Sequence, residues 1–160
     1  MARTRRLQLT AAAMLLACGL AGCRTSGLEF GQYQLRFLSP GQSSTVQLPL
    51  RITWTAGDLY RSGDSYAVFV DTQPVGPGRS VTDLLPADCK VMPDCSRESY
   101  YQQANAWLTD KPSLVLDALP ASSTSGRGEG YHTITVVILN RSQVRVGEEF
   151  ATLDVASAQQ

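Results

Sequence analysis

The chain of 160 residues is poor in the residue types on which most enzyme chemistry depends. It contains a single histidine, His132, and four cysteines. A Ser–His–Asp site would need that one histidine beside a positioned serine, and no Gly-x-Ser-x-Gly turn is present. Metal sites usually draw on several histidine, cysteine or carboxylate ligands. The composition therefore predicts a protein that is not an enzyme, with no catalytic residue, no metal ligand and no cofactor.

Basic charge is also scarce once the first 22 residues are set aside. The whole chain has 14 basic and 14 acidic residues, but three of its arginines precede residue 22 and none of its acidic residues does. Residues 23–160 therefore carry a net charge of −3. A mildly acidic domain has no electrostatic attraction for nucleic acid. We predict no nucleic-acid partner.

The sequence lacks long apolar runs except for one, at residues 7–20, which comes directly after Arg3, Arg5 and Arg6. It is shorter than the about 20 apolar residues that a stable membrane span needs. It ends at Leu20-Ala21-Gly22-Cys23, which resembles the lipobox of bacterial lipoprotein signal peptides. The resemblance implies cleavage before Cys23 and attachment of lipid to its sulfur. Cys18 is a poorer second candidate, and an ordinary secreted protein is the alternative.

These features predict an organisation in four parts. Residues 1–22 form the cleaved signal peptide, 23–32 the lipidated N-terminus and tether, 33–156 one folded domain, and 157–160 a tail. The protein would work outside the cytoplasm, anchored by its N-terminal lipid to the cell membrane or the outer membrane. Residues 24–32 reach at most about 30 Å at 3.3 Å per residue, so the domain would stay near the bilayer.

Two cysteines, Cys89 and Cys95, remain in the predicted domain. In an oxidising compartment, an even pair at short range indicates a disulfide. A redox pair usually has two intervening residues rather than five, and partners for a metal site are lacking nearby. We therefore predict a structural disulfide that fixes a long excursion between two strands.

Most of the domain consists of short segments typical of β-strands, separated by turns rich in Gly, Pro and Ser. In residues 50–55 the alternation places Leu50, Ile52 and Trp54 on one face. Residues 72–98 are predicted to be an ordered loop rather than core, and 122–130 a flexible loop. Residues 96–108 fit both helix and strand, and we favour a short helical turn followed by a strand from about Asn105. The predicted strands are 33–38, 50–55, 66–70, 113–116, 131–139 and 150–155, with 144–147 completing a hairpin.

This pattern resembles the fibronectin type III or immunoglobulin-like layout. The resemblance is carried by Trp54, by the strand Tyr66-Ala67-Val68, and by Leu119-Pro120 ahead of the strand that begins near His132. It implies an all-β fold, a single antiparallel β-sandwich, in a family without shared catalysis. His132 lies where that family's corner tyrosine is expected, so we predict that it hydrogen-bonds a nearby carbonyl.

The leading hypothesis is a non-catalytic, lipid-anchored binding or adaptor module for an envelope protein or a cell-wall glycan. Aromatic residues near loops are favoured at binding surfaces, and Tyr100 and Tyr101 beside the predicted disulfide are the candidate partner-binding residues. For Trp107 the favoured interpretation is burial against the sandwich. The alternative hypothesis is a structural or accessory subunit of an envelope secretion or transport assembly. A small hydrolase using His132 ranks third.

Overall fold

Two β-sheets make up most of the computed structural model, which describes residues 34–92, 94–121 and 130–158. The predicted signal peptide, Cys23 and the tether lie outside these residues, as does most of the predicted loop 122–130. The described strands are β1 (Arg36–Ser39), β2 (Ser44–Val46), β3 (Leu50–Thr55), β4 (Ser65–Val70), β5 (Ala106–Thr109), β6 (Ser113–Leu116), β7 (Tyr131–Leu139) and β8 (Ala151–Ser157). Two short helices, α1 (Ala87–Val91) and α2 (Arg97–Gln103), and two 3-10 turns, Gly57–Leu59 and Val81–Leu84, complete the elements.

Strand order divides the chain into a three-stranded sheet, β1-β3-β6, and a five-stranded sheet, β2-β8-β7-β4-β5. The prediction of purely antiparallel pairing is wrong at one place, because β2 and β8 run parallel. The chain leaves β1 in the first sheet, turns at Pro40-Gly41, and continues as β2 in the second sheet. It thereby crosses one side of the molecule between the two sheets.

The side chains between the two sheets form the larger core. Trp54 lies at its centre and is almost fully buried, with Phe37 and Tyr66 edge-on to its ring at centroid distances of 6.3 and 5.3 Å. Leu50 and Ile52 are buried on the same face of β3, whereas Arg51 between them is exposed. The alternation predicted for this strand is therefore confirmed, and it places the apolar face of β3 against the five-stranded sheet.

A second core covers the opposite face of the five-stranded sheet. Ala67 and Phe69 of β4 and Val137 and Leu139 of β7 face away from the first core and are fully buried. The cover is supplied by residues between β4 and β5, namely Val81, Leu85, Cys89 and Tyr101. The prediction that residues 72–98 contain no core is therefore wrong. The physical reason is that β4 is apolar on both faces, and the outer face also has to be shielded from water.

The ambiguous residues 96–108 form a helix followed by a strand, as favoured from the sequence. Helix α2 ends at Gln103, Asn105 adopts a positive φ of 53°, and β5 begins at Ala106. The left-handed conformation at Asn105, which asparagine tolerates better than most residues, reverses the chain direction. Helix α2 is consequently folded back along β5.

Candidate binding surfaces

The segment 72–104, here called the excursion, is fastened to the sheet at several points. Cys89 and Cys95 form the predicted disulfide, with their Cα atoms 5.3 Å apart. Further along, the backbone N–H of Val81 donates to the carbonyl of Gln143 at 3.0 Å. The Ser80 hydroxyl oxygen accepts from the backbone N–H of Thr82 at 3.2 Å, which caps the 3-10 turn that follows. The excursion therefore presents its surface residues on a fixed support.

Arg145 joins the excursion to the segment that precedes β8. Its side chain is buried, Nη1 donates to the Val75 carbonyl at 2.9 Å, and Nη2 donates to the Glu148 carbonyl at 3.0 Å. The guanidinium also lies 5.8 Å from the centroid of the Phe150 ring. Burial lowers the pKa of Arg145 from its usual value. These contacts assign Arg145 to holding the excursion in place.

A groove of about 460 Å³ runs beside the disulfide, and we call it the disulfide groove. Its exposed apolar side chains are Tyr100, which is 37 % exposed, and Met92, which is 56 % exposed. Asp88 and Asp94 contribute two carboxylates. The remaining lining residues are Cys89, Cys95, Ser96, Ser99 and Gln103. An aromatic ring and a thioether beside carboxylates can hold an apolar group that carries a nearby positive charge.

The two adjacent tyrosines of α2 have different surroundings. Successive helical residues point about 100° apart, so Tyr100 and Tyr101 cannot share a face. Tyr100 points into the disulfide groove, whereas Tyr101 packs into the second core and is only 4 % exposed. Burial raises the pKa of Tyr101, and its hydroxyl has no hydrogen-bond partner among the described residues. Tyr101 is therefore almost wholly buried, and the proposal that a partner binds at the disulfide groove rests on Tyr100.

A second groove, of about 300 Å³, follows the edge of β5 and is called the edge groove. Trp107 forms part of its lining and also packs against the larger core, as expected for this residue. Glu98 supplies the one carboxylate among the residues that line it. Its other lining residues are Tyr101 and Gln102 of α2, Ala106 and Leu108 of β5, and Leu114 of β6. The edge groove and the disulfide groove share no lining residue and lie on different faces of α2.

His132 is paired with a carboxylate rather than with the carbonyl that the sequence suggested. Its Nδ1 lies 2.6 Å from Oδ2 of Asp71, and both side chains are buried. The other carboxylate oxygen of Asp71 accepts from the backbone N–H of Thr133 at 2.8 Å. The prediction of a carbonyl partner is wrong because β4 ends beside the first residues of β7, which brings Asp71 next to His132. The pair ties the end of β4 to the start of β7.

Polar contacts continue from this pair across the five-stranded sheet. The Thr133 hydroxyl donates to Oδ1 of Asp154 at 2.8 Å, and Nε2 of Gln42 donates to Oδ2 of the same carboxylate at 2.8 Å. Sequence analysis missed Gln42 and Asp154. The available signal was Asp154 itself, a carboxylate between the apolar residues Leu153 and Val155, because a carboxylate requires partners when it is buried.

Two kinds of feature are absent from residues 34–92, 94–121 and 130–158. No group of three or more His, Cys, Asp or Glu side chains is placed there to hold a metal ion. No helix in those ranges has the length and apolar character needed to cross a membrane.

Comparison with known proteins gives one weak structural likeness. No protein-family model matches the chain, and no curated protein matches it. Among solved structures, the fibronectin(III)-like modules of CbhA from Clostridium thermocellum are similar at a TM-score of 0.38 and 12 % sequence identity. The likeness covers 78 % of this chain and 99 % of that one. At this level it carries no weight for function.

Proposed function

We propose that this chain is a non-catalytic lipoprotein of the bacterial cell envelope whose β-domain binds another envelope protein. The lipobox resemblance at Leu20-Ala21-Gly22-Cys23 supports the lipid anchor, and the excursion supports the binding role. One observation carries the binding role: exposed apolar side chains cluster on a support fixed by the disulfide.

The strand order supports an immunoglobulin or fibronectin III-like sandwich as the scaffold. In that family strands A, B and E share one sheet and strands C, F and G share the other. Taken in chain order, β1, β3 and β6 occupy the places of A, B and E, and β4, β7 and β8 those of C, F and G. Here the outer face of the second sheet carries the excursion as an added layer.

The chemistry of the disulfide groove favours a protein partner. Met92 and Tyr100 line this groove and are 56 and 37 % exposed, and Val91, which precedes Met92 in the chain, is 81 % exposed. Soluble domains seldom leave large apolar side chains together at the surface unless a partner covers them. Tyrosine and methionine are also enriched at the centres of protein interfaces. The carboxylates of Asp88 and Asp94 favour a partner segment that places a lysine or arginine beside its apolar side chains.

The anchor and the binding role need separate tests. For the anchor, Cys23→Ser should move the protein from the membrane fraction to the soluble fraction, and mass spectrometry of the unaltered protein should find lipid on residue 23. An unmodified Cys23 would refute the lipoprotein proposal.

For the binding role, the protein should be extracted from envelopes in mild detergent and its stoichiometric partner measured. Tyr100→Ala should weaken retention of that partner by about tenfold, because truncating a central aromatic side chain often costs at least 1.4 kcal/mol of binding. Leu38→Ala, a change at an exposed apolar side chain of β1, is the matched control and should leave retention unchanged. Retention on purified cell-wall glycan that depends on Tyr100, without a protein partner, would favour the glycan alternative instead.

A further inference from the structure

The outer face of the three-stranded sheet differs from that of the five-stranded sheet, which carries the excursion. Along β3 the buried residues point into the larger core, so the residues between them, Arg51, Thr53 and Thr55, point outward. Arg51 is exposed and the two threonines are half-buried. This outer face therefore presents polar strand residues to solvent.

Strand pairing extends the face across β1 and β6. Arg36 of β1 is opposite Thr55, and Val115 of β6 is opposite Arg51. Residues that lie opposite each other in an antiparallel pair share one face of the sheet. Arg36 is exposed, and Val115 is 38 % exposed. The outer face therefore carries two arginines beside an exposed apolar side chain.

The same register brings a third basic residue to this face. The backbone N–H of Trp54 donates to the carbonyl of Pro112 at 3.1 Å, so the pairing with β3 continues one residue ahead of β6. Extended by one more residue, this register brings Lys111 opposite Thr55, on the outer side of the sheet. Lys111 is exposed. Arg36, Thr55 and Lys111 thus form one row across the sheet.

We call the surface formed by Arg36, Arg51 and Lys111 the basic face. The three strands of this sheet contain no acidic residue, although residues 23–160 carry a net charge of −3. The carboxylates of Asp110 and Asp117 lie beyond the two ends of β6. Within the residues that the structure describes, none of the three basic side chains makes an ion pair. Their charges are therefore available to an anionic partner.

The place of β1 in the chain indicates which anionic surface lies within reach. β1 is the first described strand after Cys23, the proposed site of lipid attachment. Residues 24–32 reach at most about 30 Å at 3.3 Å per residue, so an anchored domain stays close to the bilayer. The phosphates of lipid headgroups are bound well by arginine, which can donate two parallel hydrogen bonds to one phosphate.

We propose that the basic face lies on the phospholipid headgroups of the membrane that holds the anchor, a proposal that rests on the lipid anchor proposed above. Arg36, Arg51 and Lys111 bind lipid phosphates, and Val115 lies among the headgroups. Each lysine or arginine near an anionic lipid surface strengthens such a contact about fivefold. The excursion covers the opposite side of the sandwich, so the disulfide groove faces away from the bilayer.

The test uses the lipidated full chain, reconstituted in vesicles of phosphatidylglycerol and phosphatidylethanolamine in equal parts that also contain nitroxide-labelled headgroups. A fluorophore is attached at Val115→Cys on the basic face or, as the matched control, at Val91→Cys, which replaces an 81 % exposed side chain of the excursion. The nitroxides should quench the label at position 115 and leave the label at position 91 largely unquenched. Equal quenching at the two positions would overturn the proposal.

Charge variants show whether lipid phosphates hold the face in place. Arg36→Gln combined with Arg51→Gln should lower the ratio of membrane-bound to released domains about twenty-fivefold, read from the label at position 115. Arg79→Gln combined with Arg97→Gln, on the excursion, gives the same net charge and should leave the quenching unchanged. High salt should release the face in the unaltered chain, because it screens exposed charges.

The remaining outcomes separate this proposal from the lipid anchor. A chain that does not float with the vesicles would refute the anchor, and this proposal with it. A chain that floats but keeps its quenching in the Arg36→Gln and Arg51→Gln variant would refute the basic face alone. Preference of the face for a soluble anionic cell-wall polymer over the vesicles would show that its partner is not lipid, and would also overturn the proposal.

Discussion

Replacement of Tyr101 by phenylalanine should stabilise the domain, although it deletes a polar group. The Tyr101 ring packs in the second core and the residue is only 4 % exposed. Its hydroxyl is buried without a hydrogen-bond partner among the described residues. Leaving a neutral hydroxyl unsatisfied costs about 1–3 kcal/mol, whereas phenylalanine keeps the ring contacts and removes that cost. We expect Tyr101→Phe to raise the free energy of unfolding by about 1 kcal/mol at pH 7.

The pH dependence of this effect follows from the raised pKa of Tyr101, which is caused by burial. Below about pH 10 tyrosine is neutral in the folded and the unfolded chain, so the group adds no pH dependence. Above pH 10 the unfolded chain loses this proton while the folded chain retains it. Stability then falls as pH rises, by up to about 1.4 kcal/mol per pH unit, until the folded-state pKa is passed.

Urea unfolding at a series of pH values from 7 to 11 measures both effects. The difference between Tyr101→Phe and the unaltered protein should be constant up to about pH 10 and should widen above it. Tyr100→Phe is the matched control, because its hydroxyl belongs to a partly exposed residue on the other face of α2. That variant should change the free energy of unfolding by less than about 0.5 kcal/mol at pH 7.

Two results would refute the reasoning. A Tyr101→Phe variant that is less stable at pH 7 by about 1 kcal/mol would show that the hydroxyl makes a favourable hydrogen bond. A stability difference that stays constant to pH 11 would show that folding does not resist ionisation of Tyr101. Because Tyr66 also has a raised pKa, only the difference between variants, in which the contribution of Tyr66 cancels, is informative.

Three further predictions concern stability. Replacing both Cys89 and Cys95 by alanine should lower the free energy of unfolding by about 2 kcal/mol on the chain-entropy model, as measured by urea unfolding. A reducing agent should lower the stability of the unaltered protein but not that of this variant. Trp54→Ala should cost about 3–5 kcal/mol, since it empties the centre of the larger core; a cost below about 1 kcal/mol in calorimetry would contradict that placement. Asp71→Ala should cost about 3 kcal/mol in urea unfolding, because His132 and the Thr133 N–H lose a buried partner; a loss equal to that of an exposed aspartate such as Asp94→Ala would contradict it.

The larger sheet framework could be predicted from the sequence because its strands carry strong local patterns. β3 alternates cleanly, and β7, a strand of nine residues, contains an unbroken run of β-branched residues at 133–138. Both strands lie where they were predicted. The parallel pairing of β2 could not be predicted from the sequence, because β2 has three residues and its partner β8 lies more than 100 residues away in the chain.

The second core was missed although the sequence contained an indirect signal for it. The residues Tyr66–Val70 are apolar throughout, and a strand that is apolar on both faces needs a layer on each side. The cover itself has no regular period, because Val81 begins a 3-10 turn, Leu85 follows that turn, and Cys89 lies beyond Pro86 in helix α1. A local pattern shows that a cover is needed, whereas only the tertiary structure shows which residues supply it.

The same reasoning explains why Tyr100 and Tyr101 could not be separated in advance. The sequence places both beside the disulfide, and nothing within the helix distinguishes them. Their roles are decided by how α2 meets the sheet, which is fixed by the turn at Asn105 and by the apolar outer face of β4. Because Tyr101 occupies that face, Tyr100 must turn toward the disulfide groove, and Glu98, three residues before Tyr101, is carried to the edge groove. One helix of seven residues thus forms a wall of both grooves, and its sheet-facing tyrosine determines which side chains of the helix line each groove.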